Sequence, residues 1–160
     1  MRVLLLLLIV VVIALLAGFF LPSKVHVERQ TLVDAPPQKV FSQVSDFNAW
    51  RAWSPWANID PDATFKIEGA GVGQTMTWAS DNPEVGTGSQ KITTLEAPRK
   101  VVTHLDFGDM GVSDASFTLE PTEGKTLVTW SLDSDMREGV PLMKKPMNTF
   151  FGFFMDSMLG

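Results

Sequence analysis

Hydrophobic positions fall into two unlike patterns along the chain. Between residues 3 and 21, eighteen of nineteen positions are apolar and none is charged. At about 1.5 Å per residue this run reaches roughly 28 Å as a helix, close to the ~30 Å hydrocarbon thickness of a bilayer. Its β-branched stretch Ile9-Val10-Val11-Val12-Ile13 suits a helix poorly in water. In lipid the backbone has to pair with itself, and the helix is enforced.

Past Pro22 the apolar positions become periodic. Val25, Val27, Thr31 and Val33 alternate as on one face of a strand. Asp34-Ala35-Pro36-Pro37 reads as a helix start with Asp34 as the side-chain acceptor, and Val40, Phe41 and Val44 give that helix its apolar stripe. Asp46 is expected to cap a second short helix running through Trp53, stopped by Ser54-Pro55. From Ala63 the period is two: Phe65 and Ile67, Met76 and Trp78, then Ile92. The clearest alternations are Val101 to Phe107, Ala115 to Leu119 and Val128 to Leu132. Short turns are expected at residues 96–99, 108–111 and 121–124. After Gly139-Val140-Pro141, Met143, Met147, Phe150, Phe151, Phe154, Met155 and Met158 recur at helical intervals. The order is strand, two short helices, an antiparallel meander and a final helix. That is an α+β arrangement in which a curved sheet wraps the last helix, preceded by one transmembrane helix. Residues 1–22 form the anchor and residues 23–160 one domain.

Composition sharpens this picture. The 139 residues from Pro22 onward hold 53 apolar residues, close to 38%, enough for one ordinary core. They carry 12 basic and 18 acidic residues, a net charge of −6. Nucleic acid is disfavoured as a partner, since it selects basic surfaces. Absence of cysteine excludes a disulfide framework, thiol catalysis, cysteinyl zinc and a lipoprotein anchor. A cleaved signal peptide competes with the anchor, but the run is longer than a usual signal core, and Phe19-Phe20-Leu21 extend it past the small residues at Ala17-Gly18. Basic residues flank both ends of the run, Arg2 on one side and Lys24, Arg29 and Lys39 on the other, so charge does not set orientation. The position of the anchor at the start of the chain favours a domain outside the cytoplasm.

Candidate chemistry is thin. Trp50, Trp53 and Trp56 are spaced by three and are expected to seal one end of the sheet; the alternative is a ligand portal or a membrane interface. Gly69, Gly71 and Gly73 lack the lysine and hydroxyl of a phosphate loop and read as a turn. The pairs Asp60 and Asp62, Asp106 and Asp109, and Asp133 and Asp135 read as solvated charge, and His104 as a surface residue facing outward with Asp106. No metal site and no cofactor are expected. The Met- and Phe-rich last segment suits either an adaptable apolar pocket or a core.

Several stretches together resemble the START-like helix-grip superfamily, and within it the membrane-anchored bacterial proteins named for polyketide cyclase, dehydrase and lipid transport. The matching residues include Asp34-Ala35-Pro36-Pro37 with Val40-Phe41, Trp50-Arg51-Ala52-Trp53-Ser54-Pro55-Trp56, and Gly71-Val72-Gly73 with Trp78. They continue through Val85-Gly86-Thr87-Gly88-Ser89, Leu105-Asp106-Phe107, Phe117-Thr118-Leu119, Thr129-Trp130 and Met155-Asp156-Ser157-Met158. None of these is a catalytic signature. The resemblance implies a long C-terminal helix across a concave sheet; with Gly160 as the last residue, that helix is expected to be short or truncated. It also implies a cavity for a small hydrophobic or lipid-like ligand. Inward positions Phe65, Met76, Trp78, Ile92, Leu105, Phe107, Phe117 and Trp130 are expected to line it, facing Met147, Phe150, Phe151 and Phe154. The expectation is a single-pass, membrane-anchored, non-catalytic binding domain touching the bilayer through residues 3–21. A cyclase- or dehydrase-type enzyme and a protein-interaction module are the alternatives.

Overall fold

The computed structural model describes residues 24–50, 52–54, 59–83, 85–108 and 111–135. The apolar run at residues 3–21 and the Met- and Phe-rich segment from residue 143 lie outside them. Among the described residues no helix is long and apolar enough to cross a membrane.

Seven strands and two short helices follow in the expected order. They are β1 (Lys24–Val33), α1 (Pro37–Val44), α2 (Phe47–Trp50), β2 (Thr64–Glu68), β3 (Thr75–Ala79), β4 (Thr87–Glu96), β5 (Lys100–Asp106), β6 (Val112–Thr122) and β7 (Lys125–Asp135). All strands belong to one curved antiparallel sheet, in the order β1-β7-β6-β5-β4-β3-β2. The chain starts at one edge, crosses by way of the helices to the far edge, and meanders back until β7 pairs with β1 over ten positions, from Lys24 opposite Asp135 to Val33 opposite Thr126.

Alternation sorts the side chains to two faces. Inward go Val27 and Val33, Met76, Ile92, Val101, Ala115, Phe117, Leu119, Val128 and Leu132, nearly all of them buried. Strict period-two counting fails once. A bulge at Thr93 shifts the register between Ile92 and Thr94, so that Leu95, not Thr94, shares the inner face with Val101. The β6–β7 connection is also tighter than the expected 121–124 turn. Pro121 and Thr122 still pair with Thr126 and Lys125, and only Glu123 and Gly124 turn, both with positive φ of 49° and 82°. Two consecutive residues in that conformation match the twist of a two-residue hairpin.

The helix starts differ from expectation as well. Asp34 does not cap α1; Pro36 occupies that position in extended conformation without any side-chain bond, and its carbonyl accepts from Lys39 and Val40 N–H at 3.0 and 3.2 Å. Asp34 stands two residues too early to reach the free donors, and Pro37 in the first turn needs no acceptor. Asp46 does act at the second helix, accepting from the Asn48 backbone N–H at 2.9 Å. That helix ends at Trp50 and not at Trp53; beyond it the Trp50 carbonyl accepts from the N–H groups of Trp53 at 3.1 Å and Ser54 at 2.8 Å.

The helices cover the inner face. Val40, Val44, Phe47 and Trp50 join Met76, Ile92, Val101, Phe117, Leu119 and Val128 in one core cluster. Trp50 meets Phe47 and Phe117 edge to face, at ring-centroid distances of 5.1 and 5.8 Å, and its indole N–H donates to the Val44 carbonyl at 3.1 Å. One buried amide ties this cover to the sheet. Gln74 is 1% exposed; its Oε1 accepts the Phe47 N–H at 2.9 Å and its Nε2 donates to Asp46 Oδ1 at 2.8 Å. The glycine stretch at residues 69–73 delivers it there. All three glycines have positive φ, and the turn they make sets Gln74 N–H on the Gly71 carbonyl and the Gln74 carbonyl on the Ile92 N–H.

Two stability outcomes follow. Gln74→Leu strands the Phe47 N–H in an apolar site and is expected to cost about 1–3 kcal/mol in urea unfolding. Gln74 is also the first cause holding the Asp46 carboxyl below its ordinary value of 3.8, followed by the Asn48 backbone N–H. A carboxyl depressed on folding stabilises above its unfolded pKa and loses that contribution as pH falls. The variant is therefore expected to show a higher Asp46 midpoint by NMR and a smaller loss of relative stability below about pH 4. At Gly88, an added Cβ would lie 2.4 Å from the Trp78 ring and 2.7 Å from the Asp106 carbonyl. Gly88→Ala is expected to cost about 1–3 kcal/mol by forcing β4 from β5 or turning the indole.

Candidate functional site

Among the described residues, the end of the concave face nearest β1 is not filled by the core. There β1, β7 and β6 form a floor, α1 forms a wall, and an open groove of about 710 Å³ lies between them. That volume is within the range of small-molecule sites. Thr31, Val33, Val128, Trp130 and Phe117 supply the floor; Val40 and Val44 supply the wall, with Lys39 and Gln43 along its rim. Two bonds hold the wall at its distance: Thr126 Oγ1 donates to the Ala35 carbonyl at 2.7 Å, and Trp53 Nε1 donates to the Gln43 carbonyl at 3.1 Å.

The tryptophans divide their roles. Trp50 is buried and seals the core, as expected. Trp53, its ring 5.3 Å from that of Trp50 and 6.0 Å from that of Phe117, is 40% exposed and stands at the groove. Trp56 lies outside the described residues.

The expected cavity residues spread along the whole inner face. Phe117 and Trp130 line the groove. Met76 and Ile92 are buried in the main core cluster, with Phe65 and Trp78 packed partly buried against it. Leu105 joins a smaller cluster with Ala115, Leu132 and Trp130, and Phe107 meets Trp78 edge to face at 5.9 Å. Met147, Phe150, Phe151 and Phe154 lie outside the described residues. The groove thus gathers two of the eight described positions, while the other six lie elsewhere on the same face.

Two sets of inner-face residues escaped an apolar count. The first is Arg29, beside the Thr31 that the alternation of β1 had already named. Register sets Arg29 opposite Trp130 and Thr31 opposite Val128, so both share the inner face, and both line the groove. The alternation of Val27 and Val33 already placed them there. The second is a buried polar band across the middle of the sheet. Gln90 Nε2 donates to Thr103 Oγ1 at 2.8 Å, and the Ser113 and Ser134 hydroxyls share a bond of 2.6 Å, all four residues being at most 5% exposed. Cross-strand pairing within a hydrophobic face satisfies them mutually, which no local sequence signal announces.

Titratable pairs stand on the opposite, convex face. His104 bonds Asp114 through Nδ1 at 2.8 Å instead of turning to Asp106, which accepts from the Gly108 N–H. His26 bonds Asp133 at 2.7 Å, and this bond is the first cause of its raised pKa, opposed by slight burial. Asp60 accepts from the Asp62 N–H and from the Ser80 hydroxyl. Among the described residues no group of three or more acidic, histidine or cysteine side chains is placed to hold a metal.

No curated protein matches the chain. Solved structures do share its fold. The solution structure of the Aha1 dimer from Colwellia psychrerythraea is 25% identical, with 84% of this chain and 92% of that one covered at a TM-score of 0.51. A protein from Arthrobacter aurescens is 23% identical over 82% of this chain and 80% of its own, at a TM-score of 0.57. Truncated norcoclaurine synthase from Thalictrum flavum is 14% identical over 69% and 74%, at a TM-score of 0.56. The sequence profile described as polyketide cyclase / dehydrase and lipid transport matches residues 24–159, and with a curved antiparallel sheet and two short helices in the arrangement that goes with it, the chain belongs to that family.

Proposed function

We propose that this protein is a membrane-anchored domain that holds a small hydrophobic or lipid-like molecule without transforming it. The observation that carries the reading is the groove, about 710 Å³ between α1 and the β1–β7–β6 floor, walled by Val33, Val40, Val44, Phe117, Val128 and Trp130. Transfer of apolar ligand surface from water onto such walls is favourable at roughly 25 cal/mol per Å². The family description, with lipid transport in its wording, points the same way. Both histidine–aspartate pairs stand on the convex face, on the far side of the sheet from the groove. That separation supports binding over acid–base chemistry. The anchor reading rests on the eighteen apolar positions among residues 3–21. A hydrophobic ligand drawn from a bilayer would need to travel only a short way to a domain tethered this closely.

Uptake of the neutral dye Nile red by the full chain in amphipol tests the site. Thr31→Trp fills the groove from an exposed position and is expected to weaken uptake at least about tenfold while the protein still melts cooperatively. Leu105→Trp, on the same face but away from the groove, is expected to leave uptake intact; the reverse result would place the ligand deeper along the sheet. Absence of dye uptake together with absence of a co-purifying amphiphile in native mass spectra would overturn the binding reading. Conversion of a bound molecule would replace it with the cyclase or dehydrase alternative.

For the anchor, full-length protein is expected to remain in the membrane fraction through a carbonate wash, and an alkaline phosphatase fusion after Gly160 is expected to be active outside the cytoplasm. A soluble product beginning near Gly18 or Phe19 would show cleavage instead, and an active cytoplasmic reporter would reverse the orientation.

A further inference from the structure

The wall of the groove, α1, is held near both ends by side chains that reach it from elsewhere in the chain. Ahead of its first turn both backbone groups of Ala35 are committed. The N–H donates to the Val33 carbonyl at 2.9 Å, and the carbonyl accepts the Thr126 hydroxyl at 2.7 Å. Thr126 stands opposite Val33 in β7 and is wholly buried, so bulk water does not compete for that bond. The Lys125–Asp34 pair beside it is exposed and 3.9 Å apart, and adds little. At the other end of α1, the last carbonyls of a helix lack intrahelical donors. Two indoles serve them here: Trp50 Nε1 donates to the Val44 carbonyl and Trp53 Nε1 to the Gln43 carbonyl, both at 3.1 Å. Trp50 is buried in the core, whereas Trp53 also lines the groove. The same ring therefore holds the wall and meets what lies against it.

We infer that Thr126 and Trp53 determine the thickness of ligand that the groove admits, Thr126 as a positioning residue acting through Ala35 and Trp53 by contact. While both bonds stand, α1 keeps its distance from the β1–β7–β6 floor, and a slender chain lies along Phe117, Val128 and Trp130 without disturbing them. A bulkier molecule with as many carbon atoms has to push α1 outward, which breaks at least one of the two bonds. The free energy of that bond is lost from the binding of the bulky molecule and not from that of the chain, so the bonds select slender ligands. This inference rests on the groove being the binding site.

The test compares undecanol with adamantanemethanol, alcohols of equal carbon number, one a chain and the other a cage, as competitors of Nile red on the full chain in amphipol. In the wild type the cage is expected to need the higher concentration. The ratio of the two concentrations cancels any change in affinity for the dye itself. It is expected to fall about fivefold in Thr126→Val, the worth of one hydrogen bond, and to return in Thr126→Ser, which keeps the hydroxyl. Trp53→Phe keeps a ring against Trp50 and Phe117 and removes the indole donor; it is expected to lower the ratio likewise, and it carries the test if Thr126→Val does not melt cooperatively. A merely structural defect would weaken both alcohols together and leave the ratio alone. The indole N–H resonance of Trp53, assigned by its loss in Trp53→Phe, is expected to stay in place with the chain and to move with the cage. An unchanged ratio in both variants, or equal competition by the two alcohols in the wild type, would overturn the inference and leave hydrophobic binding intact. Failure of the dye itself to bind would instead overturn the groove as a site, and this inference with it.

Discussion

Gln74 is where the two layers of the protein meet, and most of what is particular about the structure depends on it. Its amide takes the N–H of Phe47 and gives to Asp46, so the first turn of α2 is fastened to the loop between β2 and β3. With that turn fastened, Phe47 is wholly buried and Trp50 lies edge to face on Phe117. The amide has no water to fall back on at 1% exposure, so each of these bonds is worth more than a surface equivalent and costs more to lose. The alternating glycines matter for the same reason. They bend the loop through three positive-φ positions and bring one glutamine to one place.

The position of the helical cover explains the groove. Among the described residues, α1 and α2 pack over Ile92, Val101, Phe117 and Leu119, toward the middle of the sheet, and the floor nearest β1 is left to Thr31, Val33, Val128 and Trp130. A seven-stranded antiparallel sheet twists as it extends, so a short two-helix cover cannot follow its concave side from edge to edge. The space left over is apolar below and polar at the rim. The convex face has the opposite character. His26 with Asp133 and His104 with Asp114 sit there in water, paired across strands at little energetic consequence.

Membership in the polyketide cyclase / dehydrase and lipid transport family covers nearly all of the chain past the apolar run. It leaves open what the groove does, since fold neighbours at 14–25% identity include a synthase and a protein solved as a dimer.

Local physics made much of the fold legible from the residues alone. Period-two burial at Val101 to Phe107, Ala115 to Leu119 and Val128 to Leu132 marks strands because each of them has one wet and one dry face. Proline at the start of α1 and glycine at residues 69–73 act within a few residues of where they stand. Other features needed the third dimension. The bulge at Thr93 depends on where β5 sits, Asp34 loses its capping role by two residues of spacing, and Gln74 finds Phe47 across 27 positions of chain. The candidate site lies between these limits. Which side chains face inward, Arg29 among them, follows from alternation, because parity is a property of the strand itself. Which of the described inward residues α1 and α2 cover depends on where those helices come to rest, and that is settled by packing between segments far apart in sequence. A list of inward residues therefore names the whole face, whereas the groove beside β1 takes shape only once α1 has come to rest along it.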